Sequence, residues 1–229
     1  MKKLMLIVAF AGVASFAFAQ KPVTGDRTAE VGLNFQTGTA AISYTVPELR
    51  FRKFMTDDMA YRLRVNLGST SNTDAFDFGT YSWEAKTGSG FGINLSPGVE
   101  MHMKGTGKLS PYMGAEVNIM FNTGATAETT NGSSSSIAGA ANGDKYSMKG
   151  GSMFGFGAGV VMGADYYVAD GVYVGVEYGL GLFNMTSVGE GETKTTVGGG
   201  AEVTAKSATN KTFDLFGVSG GGVRLGYKF

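Results

Sequence analysis

The feature that most constrains this chain is a period of two that recurs along much of its length and runs to its last residue. At the C-terminus Val223, Leu225, Tyr227 and Phe229 share one parity, while Gly222, Arg224, Gly226 and Lys228 share the other. Successive side chains of an extended strand point to opposite faces, so such a segment reads as a strand with one apolar face and one small or polar face. The same split covers 172–182, 154–166 and 91–103, and it recurs in 28–36, 45–55, 59–67 and 109–121. The expectation is an all-β chain of eight antiparallel strands, or ten if a hairpin within the long loops adds to the barrel.

Connection lengths carry the second constraint. Residues 56–58, 104–108 and 169–171 are tight turns, whereas in the other set 68–89, 122–152 and 185–211 are long and only the first link, around 37–41, is short. Short turns at one end and long loops at the other are the rhythm of a transmembrane β-barrel. A soluble β-sandwich is the competing reading, because alternation describes any half-buried strand. Against it stand strands of about 10 to 13 residues, the length a tilted strand needs to cross hydrocarbon, where soluble strands run about 5 to 6. The apolar parity is also nearly free of charge, with Lys53 as the exception beside a short turn, where it can snorkel to headgroups.

The N-terminus reads as an address. Lys2 and Lys3 precede an apolar run from Leu4 to Ala14, and Ala17-Phe18-Ala19 has the small-x-small pattern of a signal-peptidase site. Cleavage after Ala19 assigns 1–19 to a signal peptide and 20–229 to the exported barrel. The alternative, an uncleaved anchor, needs a longer apolar run of roughly 18 to 20 residues.

Composition then removes whole classes of chemistry. Nineteen basic residues balance nineteen acidic ones, which leaves no basic footprint for nucleic acid. No cysteine means no disulfide, thiolate catalysis or cysteine-based metal site, and a single histidine leaves no multi-histidine one. No catalytic, cofactor-binding or metal-binding residues are expected. Glycine is abundant, 37 of 229 residues, roughly twice the average of about 7%.

With its signal peptide, its turn-and-loop rhythm and its ending Val223-x-Leu225-x-Tyr227-x-Phe229, the chain resembles the small outer-membrane β-barrels of Gram-negative bacteria. That group includes the membrane domain of outer-membrane protein A and the X- and W-type barrels. The resemblance implies an up-and-down barrel in the outer membrane, both termini periplasmic. It also implies that Val223, Leu225, Tyr227 and Phe229 are the signal read by the barrel-assembly machinery, after delivery by periplasmic chaperones. Fold likeness does not by itself give function.

Eight strands enclose an interior that side chains can fill. Five of the six arginines, Arg50, Arg52, Arg62, Arg64 and Arg224, take the inward parity, as do Glu30, Glu100, Glu116, Asp165 and Glu177. Most lie close to a short turn or the C-terminus, so one layer of Arg–carboxylate pairs is expected in the periplasmic half, with the guanidinium fork suited to carboxylate. Inward glycines at 155, 157, 159, 163, 175, 179 and 181 are expected to leave room for the arginines opposite. The expectation is a largely plugged lumen crossed by an Arg–carboxylate network, with a narrow water-filled pore as the competing account.

The small barrels that act on lipid A or cleave protein use a histidine at the outer rim, whereas His102 lies beside the 104–108 turn and reads as a member of the lumen network. In the loops, 122–152 is of low complexity and is expected to be disordered or a short hairpin extension, and 195–204 to prolong strands seven and eight. Loop 68–89 carries Phe76, Phe78, Tyr81 and Trp83 among acidic residues. These read equally as a recognition surface for an extracellular ligand or as part of an interfacial aromatic belt.

The expected role is a structural or surface-interaction barrel, then a passive pore for small solutes, and more distantly an enzyme acting on lipid.

Overall fold

The structure, a computed structural model, describes residues 21–35, 48–77, 82–88, 90–131 and 143–229. The signal peptide, the 37–41 link, Phe78 and Tyr81 lie outside the described residues. Among the described residues fifteen strands follow in chain order: β1 (Arg27–Phe35), β2 (Glu48–Thr56), β3 (Met59–Gly68), β4 (Ser71–Asp77), β5 (Ser82–Gly88), β6 (Gly92–His102), β7 (Leu109–Asn122), β8 (Thr126–Thr130), β9 (Lys145–Lys149), β10 (Met153–Tyr167), β11 (Val172–Val188), β12 (Glu192–Thr196), β13 (Val203–Lys206), β14 (Asn210–Leu215) and β15 (Val218–Lys228).

Eight of them, β1, β2, β3, β6, β7, β10, β11 and β15, pair antiparallel in a ring that closes through β1–β15 and β10–β11. Closure leaves no edge within the barrel wall. No described helix is long and apolar enough to cross a membrane, and the crossing elements are strands. Phe51, Tyr61, Leu63, Val99, Met113, Val176, Leu225 and Tyr227 are exposed on the outer face, while Arg50, Arg52, Arg62, Glu30, Glu100, Asp165 and Arg224 are buried. This reversal of the soluble pattern excludes the sandwich, because a continuous apolar exterior requires lipid. Tyr61, Tyr166, Tyr227 and Phe229 mark the short-turn end of the apolar band, and Phe91, Phe121, Phe154 and Phe213 the other end.

In the long loop 122–152 the described residues take the second of its two expected forms, a hairpin of β8 and β9, and the other long loops carry hairpins as well. The hairpins β4–β5, β8–β9 and β12–β13 pair with one another, β5 with β8 and β9 with β12, into one six-stranded sheet above the barrel. Alternation continues there, Trp83, Ala85, Ala127 and Thr129 being buried and Lys86 and Glu128 exposed. Thr195 and Val203 belong to this second sheet, so 195–204 does not prolong the barrel strands as expected. Instead β11 itself rises to Val188 and pairs there with β14. Residues 132–142, between β8 and β9 in the sequence, lie outside the described residues.

Between the two tiers the arms meet through glycine. Gly150 N donates to Ala125 O at 2.6 Å and Gly189 N to Ser152 O at 2.8 Å. A Cβ on Gly124 would collide with the Gly150 carbonyl, and one on Gly151 with that of Gly189. Gly124 also sits at φ +86°, a region open mainly to glycine.

Candidate functional site: the lumen charge layer

Alternation on β2 and β3 sends Arg50, Arg52, Arg62 and Arg64 inward, and the register sets Arg50 opposite Arg64 and Arg52 opposite Arg62. Four adjacent cations on one wall need acids to compensate their mutual repulsion, and most of those acids reach them from other strands. Arg50 Nη2 donates to Glu177 Oε1 across the lumen at 2.6 Å, and Arg62 Nη1 reaches Glu177 Oε2 at 2.9 Å and Glu100 Oε1 at 2.8 Å. Arg52 lies 2.7 Å from Glu30, 3.0 Å from Glu100 and 2.8 Å from Asp165. Arg224 joins Asp165 at 2.9 Å and Glu30 at 3.1 Å, and Arg64 pairs with Glu116. All ten inward charges named from the sequence therefore meet in one layer, their side chains almost wholly buried except Arg64, which is 22% exposed.

Two components were not read from the sequence. Glu48 is buried against Arg50 at 3.1 Å and Arg64 at 3.5 Å. Its inward parity is written in the sequence, since it alternates with Arg50 and Arg52, but it stands at the long-loop end of its strand, away from the short turns near which most of the other inward charges lie. With it, six carboxylates face five arginines. The other component is aromatic. Tyr112, Tyr167 and Tyr173 are fully buried, Tyr112 Oη donates to Glu177 at 2.5 Å, and the Arg52 guanidinium lies 5.3 Å from the Tyr173 ring centre and 5.8 Å from that of Tyr112.

The tyrosines revise the account of glycine. A Cβ on Gly163 would overlap the Tyr112 hydroxyl, one on Gly226 the Tyr173 ring, and one on Gly175 the Asp165–Arg224 pair. These glycines make room for tyrosine and for Arg224, not for the arginines of β2 and β3. Gly157 and Gly159 face mainly backbone carbonyls of β11 and the Asn184 amide.

His102 is buried below the layer, its Nδ1 2.9 Å from Ser110 Oγ and its Nε2 3.3 Å from Glu100. Phe54 and Tyr112 flank its ring. The layer separates two cavities. One of about 460 Å³ lies on the loop side, lined by Asn66, Asn94 and Asn122 with Arg64 and Glu48 at its floor. The other, of about 520 Å³, lies on the short-turn side against His102, Asp58 and Lys104.

Of the loop aromatics, Trp83 is buried at 4% exposure and presents no recognition surface, because its parity turns it into the upper sheet. Phe76 is its cross-strand partner. Leu225, Tyr227 and Phe229 are exposed on the outer face, with the Tyr227 and Phe229 rings stacked at 6.5 Å, and Val223 shares their parity on β15.

A family model described as "Putative OmpA-OmpF-like porin family" matches residues 70–187, 118 of the 229. No curated protein sequence matches the chain. Among solved structures it is similar to the N-terminal β-barrel domain of Pseudomonas aeruginosa OprF, at 14% identity over 91% of this chain and 100% of that one, TM-score 0.41. A major outer membrane protein from Thermus thermophilus gives 12% identity over 90% and 100%, TM-score 0.41. Outer membrane protein OprG from Pseudomonas aeruginosa gives 13% over 90% and 97%, TM-score 0.38.

Proposed function

The chain belongs to the OmpA-OmpF-like porin family, and from that premise we propose that it is a structural and surface-interaction barrel of the outer membrane whose lumen is closed by its own charge layer. The observation that carries this reading is Arg62, whose side chain has no solvent exposure and lies within 3.2 Å of Glu100, Glu116 and Glu177 from three other strands. A solute crossing the lumen must break several such pairs at once, each desolvated and charge-assisted. In this reading the six-stranded sheet of the loops is the outward-facing platform, and both termini, joined by Arg27 N to Phe229 O at 3.0 Å, face the periplasm. Val223, Leu225, Tyr227 and Phe229 serve as the assembly signal, met after chaperone delivery. The barrel is not an enzyme: its histidine is buried at the short-turn end and engaged by Ser110 and Glu100.

A narrow pore is the second reading, favoured by the two cavities that approach the layer from opposite sides. Planar-bilayer recording of the purified protein separates them. Closure predicts no steady conductance, and reproducible single-channel steps from homogeneous protein would overturn it.

A further inference from the structure

The sixth arginine stands outside the lumen, and its position is informative. Arg27 and Lys53 are direct cross-strand partners on β1 and β2, both exposed on the lipid-facing parity. Among the described residues they are the only charges on the outward parity of the eight barrel strands. Like charges set directly opposite each other on a sheet are destabilising, and neither side chain has an ion-pair partner within 4 Å among the described residues. The nearby acid Asp26 lies 3.6 Å from Lys228, and the backbone oxygen of Phe229 accepts from the Arg27 amide. A groove of about 300 Å³ runs beside the pair, walled by Phe51, Tyr61, Leu63 and Phe229.

We infer that Arg27 and Lys53 form a binding site for one anionic phospholipid, the phosphate held between the two cations and an acyl chain laid along Phe51 and Leu63. Two adjacent cations over an apolar trough match a lipid in charge and in shape, whereas a free anion has no use for the trough. The site lies at the short-turn end, so its leaflet is the periplasmic one under the orientation proposed above. The pairing itself does not depend on that orientation.

The test is native mass spectrometry of the intact protein released from bilayers of equal phosphatidylglycerol and phosphatidylcholine. Wild type should retain one phosphatidylglycerol with roughly ten- to thirtyfold enrichment. The double variant Arg27→Gln/Lys53→Gln should fall to the bulk ratio, and Lys53→Arg should keep the enrichment. Both side chains are exposed, and heat-modifiable gel mobility verifies that each variant is folded. Unchanged enrichment in the double variant, equal retention of phosphatidylcholine, displacement by millimolar inorganic phosphate, or a second copy of the chain in place of lipid would each overturn the site. Orientation is read separately from protease access to the loops in whole cells, so its failure is distinguishable from failure of the site.

Discussion

Arg62→Ala is the sharpest probe of whether the lumen is dry. The guanidinium lies 2.8 Å from Glu100, 2.9 Å from Glu177 and 3.2 Å from Glu116. Removing one partner of a buried pair costs about 3 to 5 kcal/mol, because the remaining charge stays desolvated. Here no carboxylate is left wholly alone. Glu100 keeps Arg52 at 3.0 Å, Glu177 keeps Arg50 at 2.6 Å and Arg224 at 3.3 Å, and Glu116 keeps Arg64. One unit of uncompensated charge is thus spread over three sites, which places the cost near the lower bound, about 3 kcal/mol. Arg64→Ala is the internal comparison. Its side chain is 22% exposed toward the loop-side cavity, so water can replace it and the loss should be about 1 kcal/mol. Urea unfolding from phospholipid vesicles, scored by gel mobility of unheated samples, measures both. Equal losses below about 0.5 kcal/mol would show that water reaches the whole layer, and the closed-lumen argument would fail with them.

Three further outcomes are expected. Gly226→Ala and Gly163→Ala should each cost about 1 to 3 kcal/mol by forcing Tyr173 and Tyr112 out of place, while Gly107→Ala, with nothing within 4 Å of its new methyl, should leave the urea midpoint unmoved; a uniform response would refute the packing account. Gly151→Ala should part the arms at the waist, so that protease cuts within 123–151 faster while the barrel keeps its heat-modifiable mobility, and unchanged cutting would remove the waist. In the β2–β3 turn, Asp57 accepts from the amide and then the hydroxyl of Thr24, both at 2.8 Å, which holds its carboxyl below the usual value. A depressed acid contributes fully above its unfolded pKa and loses that contribution as pH falls through the folded one. Protection of the Thr24 amide from hydrogen exchange should therefore persist at neutral pH and fade only below about pH 4, and protection that faded first between pH 6 and 8 would contradict the assignment.

What could be read from the sequence follows from how locally each feature is encoded. A strand's parity is written in its own residues, so the inward set on β2, β3 and β15 was legible, and a ring of short turns was enough to gather Arg50, Arg62, Arg224 and their acids at one depth. Which inward residue meets which across the lumen depends on barrel register. For that reason Glu177 bridging Arg50 and Arg62 from the far wall, and glycine yielding to Tyr112 and Tyr173, were beyond a one-dimensional reading. The loops show the same limit from the other side. Thr- and Ala-rich segments such as 126–130 look featureless alone because they bury little apolar surface, yet β8 is held by backbone pairing to β5 on one side and β9 on the other. That pairing depends on neighbouring arms being brought to backbone contact at Gly124, Gly150 and Gly151. The order of the outer tier is therefore set by the waist beneath it more than by the composition of the loops. The same burial of Trp83 that removes it as a surface anchor leaves the exposed alternate residues, Lys86 and Glu128 on the opposite side of the sheet, as the face the platform turns to solvent.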